Sequence, residues 1–194
     1  MPKLVDHEKR KKQIAEATWR VIVEQGMEGA TVRNIAKEAG ISLGSLRHYF
    51  STQEELLAYS MNLVKENVTA RVLKIAAQEL PIKAKALKML LELVPTNKES
   101  MAESEVWFTF IAYSRHKERF DANQDGVLLG IQQLMKFLRQ FDLLKPDINF
   151  ELETERLYAV IDGLALHAML NPNRVNRDLA EKVLVRHLEE ICEE

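Results

Sequence analysis

Apolar residues return every three or four positions along almost the whole chain, the spacing that gives a helix one oily side. Ile14, Ala17, Val21 and Ile22 mark the first stripe, and Gly26 is placed to end it. Thr31 is the expected cap of a short second helix carrying Val32, Ile35, Ala36 and Ala39, stopped by Gly40. Ser42 then caps a third, running to about Tyr49. Thr52 and Glu55 have capping-box spacing and open a long helix through Leu57, Val64, Val72 and Ile75. Pro81 suits the first turn of a helix ending near Val94. Thr96 with Glu99 repeats the capping-box spacing ahead of an aromatic segment, Trp107 to Tyr113. One further helix spans about Asp125 to Phe141. Another is capped by Asn149 and reaches about Leu170, and the last is capped by Asn176. The pattern predicts an all-α protein of about nine helices with no strand.

Composition narrows the class. Only 7 Gly and 5 Pro interrupt 194 residues, so helices can be long. No apolar run approaches the roughly 20 residues needed to span a bilayer, and the N-terminus has no signal-peptide core. The single cysteine, Cys192, excludes an intramolecular disulfide. These features point to a cytoplasmic protein without a membrane partner. The net charge of −2 hides a division: residues 1–50 hold 9 Lys and Arg against 6 Asp and Glu, a net of +3, and the remainder holds 18 against 23, a net of −5. A basic head on an acidic body allows phosphate binding at one end.

The sharpest local signal lies between Thr31 and Phe50. Two short helices are joined by Ala39-Gly40-Ile41-Ser42. Ala36 is small enough for close crossing, and Gly40 can take a positive φ to turn the chain. Ile41 and Leu46 can plug the space between the helices, and Ser42 can satisfy free amides at the start of the third. That helix then offers Ser42, Ser45, Arg47 and His48 on its open face, with Leu43 and Gly44 near its tip. Such a helix fits the DNA major groove, led by its N-terminal residues. An ordinary helical hairpin in a core has the same spacing.

The segments Thr31-Val32-Arg33-Asn34-Ile35-Ala36-Lys37-Glu38-Ala39-Gly40-Ile41-Ser42 and Leu43-Gly44-Ser45-Leu46-Arg47-His48-Tyr49-Phe50, followed by Glu54-Glu55-Leu56-Leu57, resemble the signature of the TetR family of transcriptional regulators. The likeness runs without gaps from Lys11 to Leu57. Glu155 to Leu164 looks like the branch that contains the choline-responsive betaine regulator. The resemblance implies an N-terminal three-helix helix-turn-helix domain over residues 1–50 and a helical effector-binding and dimerisation domain over 51–194. It implies that Ser42, Ser45, Arg47, His48 and Tyr49 face double-stranded operator DNA, with Thr31 and Arg33 on phosphates. Two positions depart from the pattern. The family usually has lysine at Gln53, and Leu43 stands where many members carry a polar or basic residue or proline. Leu43 can read only a thymine methyl or nothing. The run Lys9-Arg10-Lys11-Lys12 is either a compensating phosphate contact or a solvated first turn.

For the body, the resemblance implies a small-molecule effector of unidentified class enclosed by the fourth to eighth helices. Trp107, Phe110 and Tyr113 then become lining candidates, with Tyr59 and Met61 behind them; an aromatic run of this kind also serves as core. Aromatic faces could hold a quaternary cation if the likeness extended to ligand type, with Glu103 and Glu105 adding charge, although a solvated face explains those two carboxylates as well. The last two helices carry long apolar faces, with Leu157, Ile161, Leu164 and Ala168 on one and Leu184 and Leu188 on the other. The family pairs these helices with their copies in a homodimer. His116, His167 and His187 form no metal-spaced set, and no phosphate loop, nucleophile elbow or cofactor motif occurs. The sequence therefore predicts a regulator released from a palindromic operator by its effector, not an enzyme. A constitutive DNA-binding protein whose body only dimerises, marked by a body with no cavity, is the alternative.

Overall fold

In the computed structural model of the chain the described residues are 7–116 and 125–193, the side chains of 114–116 excepted. Among them run nine helices: α1 (His7–Gly29), α2 (Val32–Glu38), α3 (Leu43–Tyr49), α4 (Gln53–Ala76), α5 (Ile82–Leu91), α6 (Lys98–His116), α7 (Gly126–Gln140), α8 (Phe150–Leu170) and α9 (Arg177–Ile191). The sole β feature among the described residues is an isolated antiparallel bridge between Leu144 and Cys192. Beside it the Lys145 ammonium donates to the Glu189 and Glu190 carbonyls, placing a cation on the negative end of α9. No described helix is long and apolar enough to cross a membrane.

Most helix starts follow their caps. The Asn149 side chain accepts from Leu152 N, that of Asn176 from Leu179 N, and that of Asp125 from both Val127 N and Leu128 N. Two expectations shift. The cap of α6 is Asn97, whose side chain accepts from Ser100 N, while Ser100 Oγ accepts from the amides of Thr96 and Asn97. The capping pair thus lies one residue beyond Thr96 and Glu99. Helix α5 stops at Leu91 instead of near Val94, and residues 92–94 close with three-residue hydrogen bonds to Met89, Leu90 and Leu91. Pro95 disfavours α geometry in the residue before it, so the last turn tightens ahead of it. Gly26 interrupts α1 with φ +69°, as its placement predicts.

The chain forms two compact units. The first comprises residues 1–67 and 102–120, the second 68–101 and 121–194. The expected boundary at residue 50 therefore does not divide the packing. Leu56, Leu57, Met61 and Val64 of α4 and Val106 of α6 join Ile14, Ile35, Leu46 and Phe50 in one buried cluster. In the second unit α5 packs on α9 and α7 on α8, around Leu90, Ile131, Met135, Leu138, Leu157 and Leu184.

Candidate nucleic-acid interface

Helix α2 is held at both ends by its own sequence. Thr31 Oγ1 accepts from Asn34 N at 3.2 Å, and Asn34 Nδ2 donates back to Gly29 O at 3.0 Å. At the other end Gly40 takes φ +64°, Gly40 N donates to Lys37 O and Ile41 N to Ala36 O. This six-to-one and five-to-two pair is a Schellman closure, which needs a left-handed residue and favours glycine there. The Arg20–Glu38 pair at 2.6 Å adds a tie between α1 and α2. Both its partners keep contact with water, so it contributes little to stability.

The turn delivers α3 with Ser42 Oγ accepting from Ser45 N at 3.0 Å. Leu46 is fully buried and is the only buried residue within α3, so one side of the helix is anchored and the rest stays open. Arg47 and His48 are exposed, as are Ser42 and Gly44, while Leu43, Ser45 and Tyr49 are half-buried. Thr31 and Arg33 at the start of α2 are exposed too. The structure thus brings the expected DNA-facing residues onto two neighbouring helix starts and one open helix face.

Gln53 is a different case. Its Nε2 donates to Ala30 O at 2.9 Å, which ties the start of α4 to the α1–α2 link. An amide makes this internal bond where a lysine would extend a charge. Lys11, from the basic run, places its ammonium 5.4 Å from the Phe50 ring centre and 5.5 Å from that of Tyr59. It therefore packs over aromatic faces as a cation–π partner. His7 was not among the expected residues, and its ring centre lies 4.9 Å from that of Tyr49 and 6.3 Å from that of His48. Histidine at a helix start has no spacing signal; only the fold sets it beside the end of α3.

The effector candidates fall elsewhere than expected. Tyr59, Trp107 and Phe110 pack against the buried cluster of the first unit, and Met61 belongs to it. The Trp107 face carries the Lys65 ammonium 5.6 Å from its centre. Glu103, expected on a solvated face, is only 3% exposed and accepts from Asn67 Nδ2 at 3.0 Å. Tyr113 is half-buried. Burial and the nearby Glu8 carboxylate raise the Tyr59 hydroxyl above its ordinary value.

A cavity of about 450 Å³ opens in the second unit instead. Val68, Val72 and Leu73 of α4 form one wall, Met89 and Leu90 of α5 with Leu93 of the turn after it another, and Leu134 and Phe137 of α7 a third. Its volume falls within the roughly 300–1,000 Å³ of small-molecule sites. None of Tyr59, Trp107, Phe110 and Tyr113 lines it.

The expected dimer face is corrected as well. Leu157, Ile161, Ala168 and Leu184 are at most 1% exposed in a single chain, and Leu188 is 6% exposed. They are the protomer's own core, because their stripe meets α5 and α7. Of the six residues expected there, Leu164 alone stays half-buried. The outward stripe of α8 and α9 includes a groove lined by Arg156, Val160, Lys182, Val183, Arg186 and Glu190 together with His187. His187 is 3% exposed, and its Nε2 has no hydrogen-bond partner among the described residues. Among the described residues no group of His, Cys, Asp or Glu is arranged to hold a metal ion; the His116 side chain lies outside them.

Comparison with known proteins agrees with this geometry. Residues 14–59 match the family model described as bacterial regulatory proteins, tetR family, and residues 82–193 match that of the BetI-type transcriptional repressor, C-terminal. The HTH-type transcriptional regulator PksA of Bacillus subtilis is 60% identical, over 100% of this chain and 95% of its own length. The regulator BetI of Escherichia coli is 32% identical, over 96% of this chain and 95% of its own. A transcriptional regulator from Saccharomonospora viridis, solved in complex with choline, superposes with a TM-score of 0.81 at 18% identity, covering 96% of this chain and 100% of its own. A Rhodococcus regulator superposes with a TM-score of 0.80 at 26% identity, covering 93% and 95%.

Proposed function

Because the chain belongs to the TetR family of bacterial regulatory proteins, with a BetI-type C-terminal part, we propose that α2 and α3 hold operator DNA and that a small molecule in the second unit releases it. The protein is a helix-turn-helix transcriptional regulator and not an enzyme. The observation that carries the DNA reading is α3 itself, seven residues of which Leu46 is buried and Tyr49 packs on the same cluster, with Arg47 and His48 exposed. Arg47 reads base edges or phosphates, and Ser42 and Ser45 approach the backbone through the capped helix start. Thr31 and Arg33 position the head on phosphates. Gln53 contributes by fixing the α4 start, with its bond to Ala30 in place of a lysine's charge.

A single head reads too few base pairs for useful selectivity, so two copies act together on a palindrome. Their meeting surface is the outward stripe of α8 and α9, where Val160 and Val183 supply apolar contact and Arg156 and Arg186 a charged rim. The unpartnered His187 nitrogen in that stripe supports the reading, since a buried polar atom without a partner costs about 1–3 kcal/mol. The 450 Å³ cavity favours an effector-responsive protein over a constitutive binder with a solid body.

The test is reciprocity. Duplexes selected from a random pool by the purified chain supply the operator. An effector that releases DNA must bind more weakly when operator is present, by the same factor; a factor of about 100 is about 2.7 kcal/mol of coupling. Equal affinity with and without operator would leave only the constitutive reading. Light scattering is expected to give twice the chain mass of 22.3 kDa, and Val183→Glu to return it to one.

A further inference from the structure

The cavity of the second unit has a definite chemistry. Val72, Leu73, Met89, Leu134 and Phe137 make its surface mainly apolar, Thr69 and Gln133 add polar groups, and Leu73 at 62% exposure extends that surface outward. Among the described residues no aspartate or glutamate lines it. Among the described residues the only charged lining group is Lys85, whose ammonium donates to the Ala76 carbonyl at 3.0 Å. An ammonium has three donors, so this bond leaves others for a ligand. Gly130 lies along the α7 side, and a Cβ built there meets nothing within 4 Å.

A quaternary ammonium such as choline is held by several aromatic faces or by carboxylates. Among the described residues this cavity offers one aromatic, Phe137, no carboxylate and a cation. The Trp107 face in the first unit already carries Lys65. Both observations oppose a compact cation and favour its electrostatic opposite with a long apolar body. We infer that the cavity between α4, α5 and α7 binds an elongated, mainly apolar small molecule ending in one carboxylate or similar anion, with the anion at Lys85 and the apolar body against Val72, Met89, Leu134 and Phe137. The assignment deepens the effector reading above and rests on it for its regulatory meaning.

Titration calorimetry on the full chain with dodecanoate, dodecanol and choline tests it. Dodecanoate binds, dodecanol binds more weakly, and choline neither binds there nor competes. Gly130→Phe fills the cavity from α7 and lowers dodecanoate affinity about tenfold or more, since several methylenes lose their burial. Val72→Trp does the same from α4, so the result does not depend on one variant folding. Lys85→Met removes the preference of acid over alcohol, about two- to fivefold for a partly solvated pair. Failure of dodecanoate to bind, or equal binding by both filled variants, overturns the site. Choline binding that Gly130→Phe abolishes overturns the ligand class. Dodecanoate that binds, is blocked by both variants and leaves operator affinity unchanged overturns the effector reading while the site stands.

Discussion

Helices α3 and α9 are both amphipathic, and they divide their surfaces in opposite ways. Within α3 only Leu46 is buried, and Arg47 and His48 are exposed. Within α9 five residues are buried, Ala180, Leu184, His187, Leu188 and Ile191, and all but His187 close the core of the second unit. A helix fixed by one buried leucine, a half-buried tyrosine and a serine cap keeps its polar groups available, since little of it is needed for packing. A helix that seals a core has its apolar stripe committed and can meet a partner only with what remains. Substitutions on α3 should therefore change recognition at constant stability, and those on the inner stripe of α9 the reverse.

The largest effect expected is from Leu184→Ala, which removes a fully buried side chain and leaves a cavity. It should cost about 2–5 kcal/mol in chemical denaturation. A loss below about 1 kcal/mol would mean that Leu184 faces a partner instead of its own core. Arg47→Ala comes next: operator affinity falls by about 1–3 kcal/mol if Arg47 reads a base, with the melting temperature unchanged. If Arg47 is a phosphate anchor, all duplexes weaken alike and the salt slope shrinks by about one. Unchanged footprints would remove it from the interface.

Ser42→Ala removes the cap of α3 and should lower stability by about 1 kcal/mol, and Ser42→Gly by a few tenths. The contrast between the two variants separates capping from any contact of the hydroxyl with DNA, which both would lose equally.

The smallest effect is electrostatic. Burial, and then the Arg156 guanidinium of α8, hold His187 below its ordinary value of 6.5, against the opposite pull of Glu153 on α8 and Glu190 on α9. The neutral ring is the folded form, and protonation favours the unfolded chain. The contribution is complete above pH 6.5 and is lost as pH falls through the lower folded value. Denaturation midpoints across this range should fall toward acid in the native chain and less steeply in His187→Gln. Parallel slopes would remove His187 as the cause.

Short-range chemistry was written plainly in the chain. Thr31, Ser42, Asn149 and Asn176 cap the helices they were expected to cap, because a cap involves only residues three apart. Gly40 closes α2 because only a left-handed residue fits there. The nine helices and the open face of α3 followed from those signals and from apolar spacing. The aromatic segment and the leucine stripes of α8 and α9 were harder to place. Trp107 and Phe110 pack on the first unit's cluster, and Leu157, Ile161 and Leu184 fill the second unit's core.

Periodicity states that one side of a helix is apolar and says nothing about what covers it. Neighbours far along the sequence decide that, here α5 and α7 for the last two helices. The same reason hid His7 beside Tyr49, the Gln53 bond to Ala30 and the cavity between α4, α5 and α7. The sequence by itself determined the helices, their caps and the outward polar groups of α3, which are local free-energy choices. The tertiary structure alone decided which apolar stripe became core, which became surface, and where space was left for a ligand, because burial is settled between distant segments.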